Sequence, residues 1–246
     1  PPAEKAIYSL SSENWQEGLL MSVHLQRELE QLKRSLLTLC GLVEDQVQRA
    51  VQALVSRNAE AAQQVEQRDI EIDHREVEIE EECLKILALY QPVASDLRFI
   101  ISALKINNDL ERIGDLAVNL AHKARTFAQF PEVENPFDLR RMWEQVQTML
   151  RDSVHAMVRL DAKLAHEVCA RDAQIDEQKR RIRLLAEELI QQNPAQTRPL
   201  LALAAAARNL ERIADHATNI AEDALYLMEG RIARHQYGPS DDGPGQ

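Results

Sequence analysis

Aromatic residues are scarce in this chain, at 4% of 246 positions, and glycine occurs only seven times. Strands favour aromatic and β-branched side chains, so the shortage puts an all-β or α/β fold at a disadvantage. Cysteine is sparse too. Cys40, Cys83 and Cys169 are odd in number, far apart and without a C-x-x-C pair, which points to reduced core thiols and away from a disulfide framework or thiolate zinc site. The longest wholly apolar run, Leu200–Ala207, is far below the roughly 18–20 residues that cross a bilayer, so no membrane insertion is expected. Positive charge is in the minority, 29 Lys and Arg against 40 Asp and Glu, for a net charge of −11. That balance argues against binding nucleic acid or anionic lipid through bulk charge. No segment joins a basic start to a long apolar stretch and a cleavage site, so a cytoplasmic location is expected.

What remains is rich in Ala, Leu, Glu, Gln and Arg, the best helix formers. Apolar residues recur at a spacing near 3.6: Leu36, Leu39, Val43, Val47, Ala50, Val51 and Leu54; then Val65, Ile72, Ile79, Ile86 and Leu89; then Leu97, Ile101, Leu104, Leu110, Ile113 and Leu120. Helices are expected at 22–57, 60–89, 93–128, 137–167, 171–192 and 196–229. Asn135-Pro136 and Asn193-Pro194 read as N-caps followed by proline at the first helical position, Gln91-Pro92 as a weaker version, and Gly230 as a terminator. Short linkers force neighbours antiparallel. The expected fold is all-α, six long helices forming two homologous three-helix bundles, at 22–130 and 131–230. Residues 1–21 lack sustained periodicity and are expected to be poorly ordered, with Met21 as an alternative start. The tail 231–246 reads as disordered from its composition.

The tandem reading rests on a repeat. Asn108-Asp109-Leu110-Glu111-Arg112-Ile113-Gly114-Asp115 returns as Asn209-Leu210-Glu211-Arg212-Ile213-Ala214-Asp215, with Glu111 and Glu211 100 residues apart. Upstream, Arg68-Asp69-Ile70-Glu71-Ile72-Asp73 matches Arg171-Asp172-Ala173-Gln174-Ile175-Asp176 at a spacing of 103, and Asp45-Gln46-Val47 pairs loosely with Asp152-Ser153-Val154 at 107. The drift of about four residues is one helical turn, which nearly preserves helix phase.

Each repeat carries two acid-x-x-x-acid pairs: Asp69/Asp73 and Glu111/Asp115, then Asp172/Asp176 and Glu211/Asp215, with Asn119 and Asn219 one turn further on. Residues i and i+4 share a helix face. Antiparallel neighbours can therefore aim four carboxylates at one place, where protons, arginines or a cation must compensate their repulsion. All-oxygen ligation suits Mg²⁺, Ca²⁺, Mn²⁺ or iron. Against this, acids at this spacing are commonplace on solvated faces, and Arg68, Arg112, Arg171 and Arg212 can pair with them. Duplication is what favours ligation. The same strings also pack: Leu110, Ile113, Ala117 and Leu120 form an apolar stripe, and Gly114 or Ala214 permits close helix approach.

Other constellations are weaker. Glu71-x-x-His74 has di-iron spacing, but the second repeat has Glu177 after Asp176 and no histidine there. His166-Glu167 lacks a zinc hydrolase's second histidine. His216 reads as structural, because its counterpart is Leu116, and Trp143 as a core or interface residue. There is no Gly-rich phosphate loop and no G-x-S-x-G, so an enzyme is not expected.

Gln91-Pro92-Val93-Ala94-Ser95-Asp96-Leu97-Arg98, with the doubled Leu-Glu-Arg-Ile-Gly/Ala-Asp motif at 110–115 and 210–215, resembles the PhoU family of bacterial phosphate-signalling regulators over roughly residues 22–230. The resemblance implies two three-helix bundles, often a homodimer, in the cytoplasm. It implies a role in damping the phosphate-starvation response by connecting the ATPase of the phosphate ABC transporter with a sensor histidine kinase. It also implies metal, Fe, Mn, Mg or Zn, on acid motifs that map to Asp69/Asp73, Glu111/Asp115, Asp172/Asp176 and Glu211/Asp215. Gln196 replaces Asp96 in the second repeat, so equivalence of the two bundles is not implied. The alternative reading is a metal-storage or di-iron helical bundle.

Overall fold

The computed structural model describes the backbone of residues 2–229 and the side chains of residues 22–229. Among these residues there are six long helices and no strand: α1 (Pro2–Ser56), α2 (Ala59–Tyr90), α3 (Ala94–Ala128), α4 (Leu139–Arg159), α5 (Ala162–Gln192) and α6 (Thr197–Glu229), with a 3-10 turn at Pro194–Gln196. Helices α1, α2 and α3 pack together, as do α4, α5 and α6. The two sets join where α3 lies on α6 and α1 on α4, while α2 and α5 pack chiefly within their own halves. Polar ties at these joints run in opposite chain directions. Lys105 and Asp109 of α3 meet Asp223 and His216 of α6, and Glu44 and Gln48 of α1 meet Arg151 and Trp143 of α4. Both joints are therefore antiparallel.

The periodic residues account for the core. Leu36, Leu39, Val43, Val47, Ala50, Val51 and Leu54 are all buried, and Val65, Ile72, Ile79 and Ile86 form a buried seam on α2 at seven-residue intervals. Leu89, Leu97 and Ile101 continue the sequence pattern but are exposed, since they sit near the ends of α2 and α3.

Four boundaries differ from expectation. Helix α1 begins at Pro2 instead of near residue 22; Ala3–Glu17 contains no glycine or proline to stop it. The break expected near 168–170 lies at Leu160-Asp161, so α4 is shorter than 137–167 and α5 begins at Ala162 instead of 171. Asp138, not Asn135, caps α4 by accepting from the Arg141 amide, while Asn135 accepts from Phe137 N–H two residues on. Asn193 makes no side-chain cap, although Pro194 does open the 3-10 turn. The expected terminator Gly230 and the tail 231–246 lie outside the described residues.

The missed break is itself duplicated. Arg57 and Leu160, 103 residues apart, both take the left-handed conformation, with φ of 53° and 55°. Asn58 N–H donates to Ala53 O at 2.9 Å and Arg57 N–H to Leu54 O at 3.3 Å; Asp161 N–H and Leu160 N–H repeat this on Ala156 O and Met157 O at 2.9 and 3.3 Å. These paired bonds close each helix as a Schellman turn. Asn58 and Asp161 then cap the next helix by accepting from Ala61 and Leu164.

Candidate functional site

In the first half, α2 supplies Asp69 and Asp73, and α3 supplies Glu111 and Asp115. Gly114 lets the helices meet closely: a Cβ there would stand 3.2 Å from Ile72 Cγ2 and 3.4 Å from Asp69 Oδ1. Half-buried Asp69 accepts from Gln46 Nε2 of α1 at 2.7 Å. Its pKa is raised by desolvation, against the Gln46 hydrogen bond, with Asp73 and Asp115 adding repulsion. Glu111 is raised by desolvation and then by Asp115, with Glu76 and Asp73 contributing and Arg112 opposing. The acids of the two helices thus feel one another across the seam. Asp73, Asp115 and Asn119 are exposed on its rim.

The second half repeats the plan with different partners. Asp172 accepts from Thr218 Oγ1 at 3.2 Å, and desolvation raises its pKa against that bond, with Asp176 and Glu211 adding to the rise. Asp215 is pushed up to about 6 by desolvation, then by Glu211, Asp172 and Asp176, although its outer edge meets solvent. Lys179 Nζ stands 2.8 Å from Asp176 Oδ1 and 2.5 Å from Glu211 Oε1, bridging α5 to α6. Burial would lower its pKa; the hydrogen bonds to the two carboxylates outweigh this and raise it. Asn219 is exposed.

Each expected quartet is brought to one seam and coupled electrostatically. The side chains are not drawn to a single point: among the described residues, no three His, Cys, Asp or Glu side chains form a group that could hold an ion. Sequence reasoning missed Glu76 and Lys179, which stand 103 residues apart at the same register, and the supports Gln46 and Thr218. Carrying the repeat three residues past Asp73 and Asp176 exposes the first two. Gln46 and Thr218 have no counterpart of like chemistry, Ser153 and Val118 standing in their places.

Beside the acids in sequence, the halves share a further device. Asp152 holds Arg171 at 2.6 Å as Asp45 approaches Arg68 at 3.6 Å, tying the first helix of each set to the second. The remaining candidates are structural. Cys40, Cys83 and Cys169 are buried free thiols, and burial raises all three, Cys83 to about 12 and Cys169 to about 11. Trp143 is fully buried and donates to Gln48 Oε1. His216 Nδ1 lies 2.8 Å from Asp109 Oδ1. Glu71 and His74 are exposed.

Fold and seam together define a tandem, all-helical protein that carries the same acidic helix face twice. The PhoU domain family model matches residues 36–124 and 139–224, one match per half. The phosphate-specific transport system accessory protein PhoU homolog of Pseudomonas putida is 42% identical over 219 residues, spanning 87% of this chain and 84% of the relative. That of Aquifex aeolicus is 38% identical over 213 residues, 87% of this chain and 96% of the relative. The crystal structure of PhoU from Pseudomonas aeruginosa superposes with a TM-score of 0.78 at 41% identity, covering 84% of this chain and 99% of that one. The phosphate transport system regulatory protein PhoU from Streptococcus pneumoniae gives 0.75 at 31% identity, covering 85% and 98%. The chain belongs to the PhoU family.

Proposed function

We propose that this protein is a non-enzymatic, cytoplasmic negative regulator of phosphate uptake and of the phosphate-starvation response. It acts as a homodimer through contacts with the ATPase of the phosphate ABC transporter and with a sensor histidine kinase. The observation that carries the reading is family membership across both halves, at 42% identity to an accessory protein of the phosphate-specific transport system. No helix among the described residues is long and apolar enough to cross a membrane, so contact with a transporter falls to a surface that water also reaches. The deeply protonated thiols offer no nucleophile.

The donor chemistry of the first half suits a hard cation. Asp69, Asp73, Glu111 and Asp115 are all oxygen donors, joined by Glu76, and each carboxylate with a raised pKa would gain from a nearby positive charge. A bound Fe, Mn, Mg or Zn ion would supply that charge and pin α2 to α3. The chain's own part is to present the oxygens: Gln46 holds Asp69, and Gly114 keeps the helices close. The di-iron alternative needs a second Glu-x-x-His, and Gln174 and Glu177 stand where its glutamate and histidine would be.

A deletion strain tests the regulator reading. Phosphate-responsive genes are expected to escape repression in rich phosphate, and the tagged chain to co-purify with the transporter ATPase or the kinase. Normal repression without the protein overturns it.

A further inference from the structure

The two seams differ in sign at one register. Glu76 adds a carboxylate to the first, where its charge raises Glu111. Lys179 occupies the matching place in the second and bonds one carboxylate from each helix. The motif arginines do not explain the difference, because Arg112 and Arg212 stand at equivalent positions and both are exposed, while Arg180 and Arg181 of α5 pair with Glu177 and Arg183 pairs with Glu187. Arg112 approaches Glu111 and Asp115 only to 3.6 and 3.8 Å. Lys179 is embedded instead, its side chain 33% exposed and that of its partner Glu211 13%.

We propose that Lys179 is the resident counter-cation of the second half, so that metal carried on the duplicated acid motifs is held by the first half alone. The inference rests on the metal reading given above. A cation approaching Asp176 and Glu211 meets an ammonium already bonded to both. To bind, it must break those two charge-assisted bonds and leave Lys179 beside a like charge. The metal proposed for the first half therefore does not fit this half as it stands, whereas the first half has no ammonium in that place.

Equilibrium dialysis of the full chain against Mn²⁺, with elemental analysis, tests this. Wild-type Mn²⁺ uptake is expected to disappear in Asp73→Asn/Asp115→Asn and to persist in Asp176→Asn/Asp215→Asn. Lys179→Glu, which installs the first half's residue, is expected to raise uptake about twofold, the gain vanishing when Asp176 and Asp215 are also changed to Asn. Lys179→Met adds no ligand and keeps the measurement decisive if the glutamate variant does not fold. Its Tm is expected to fall at neutral pH and to recover with added Mn²⁺. Unchanged uptake in Lys179→Glu, an unmoved Tm in Lys179→Met, or loss of wild-type Mn²⁺ on changing Asp176 and Asp215 overturns the proposal. If wild type binds no Mn²⁺ while the Lys179 variants acquire it, the first-half metal reading fails and the role of Lys179 stands.

Discussion

Arg151 of α4 clasps Glu44 of α1 with two nitrogens, and this pair is a charged bolt between the two halves. Glu44 is the buried member, at 9% side-chain exposure against 53% for Arg151. Gln147 Nε2 adds a bond at 3.2 Å and Cys40 Sγ one at 3.6 Å. Removing the cation strands a buried carboxylate. Arg151→Ala should therefore cost about 2–3 kcal/mol, below the range for fully buried pairs because water reaches the vacated arginine position. Glu44→Gln in the same background should restore about 1 kcal/mol, since the stranded charge is the larger penalty. Urea unfolding of the two variants checks the order; a double variant less stable than Arg151→Ala refutes it.

Asp215 gives a pH dependence with a definite sign. Its folded pKa of about 6 exceeds the ordinary 3.8, so between those values the folded chain holds more protons than the unfolded one. Stability from this group is greatest below about pH 4, declines as pH rises to about 6 and is level above that. Asp215→Asn removes the charge. It should raise Tm by about 2–4 °C near pH 8 and leave it unmoved near pH 4. Melting curves across that range decide; a gain at low pH only would contradict the desolvation and repulsion that raise this carboxyl.

The duplication was legible because both seams keep their acids and their apolar stripe, and a shared helix phase carries the match through about a hundred residues. The α4–α5 turn was not, because Leu160 takes a left-handed φ normally signalled by glycine. Nor was the sign of the seam. Lys179 follows Asp176 by three residues, and such a pair on a helix reads as an ordinary surface ion pair until α6 brings Glu211 against it. Periodicity exposes what each helix buries; it does not reveal which partner crosses from the next helix.

The α3–α6 joint offers a contrast between equivalent positions. Asp109 has His216 as its partner, both side chains under 20% exposed. By the repeat their counterparts are Asn209 and Leu116, and buried Asn209 Nδ2 has no partner. His216→Leu copies the other half's residue but strands Asp109, and should destabilise by about 1–3 kcal/mol. Asn209→Leu removes an unsatisfied donor and should cost less than about 1 kcal/mol. Chemical denaturation of both variants checks the asymmetry, and equal losses would show that the histidine contact contributes nothing of its own.

The two Schellman turns share one backbone and differ in what their left-handed residue does. Left-handed φ costs a non-glycine residue about 1–2 kcal/mol, partly offset by the extra unfolded-state entropy that glycine brings. Leu160 is 55% exposed, so Leu160→Gly has little packing to lose and should stabilise by about 0.5–1 kcal/mol. Arg57 has the same strain but uses its side chain. Its guanidinium donates to Phe130 O at 2.5 Å and to Val133 O, and stacks 4.0 Å from the centre of the Phe127 ring. Those bonds pin the chain that leaves α3 to the end of α1. Arg57→Gly relieves the backbone yet releases two carbonyls and a cation–π contact, so it should destabilise by about 1–2 kcal/mol. Opposite signs from one substitution type at duplicated positions, read by thermal melting, would show that Arg57 is kept for its reach across the loop; a gain at both would show that the loop contacts are too weak to matter.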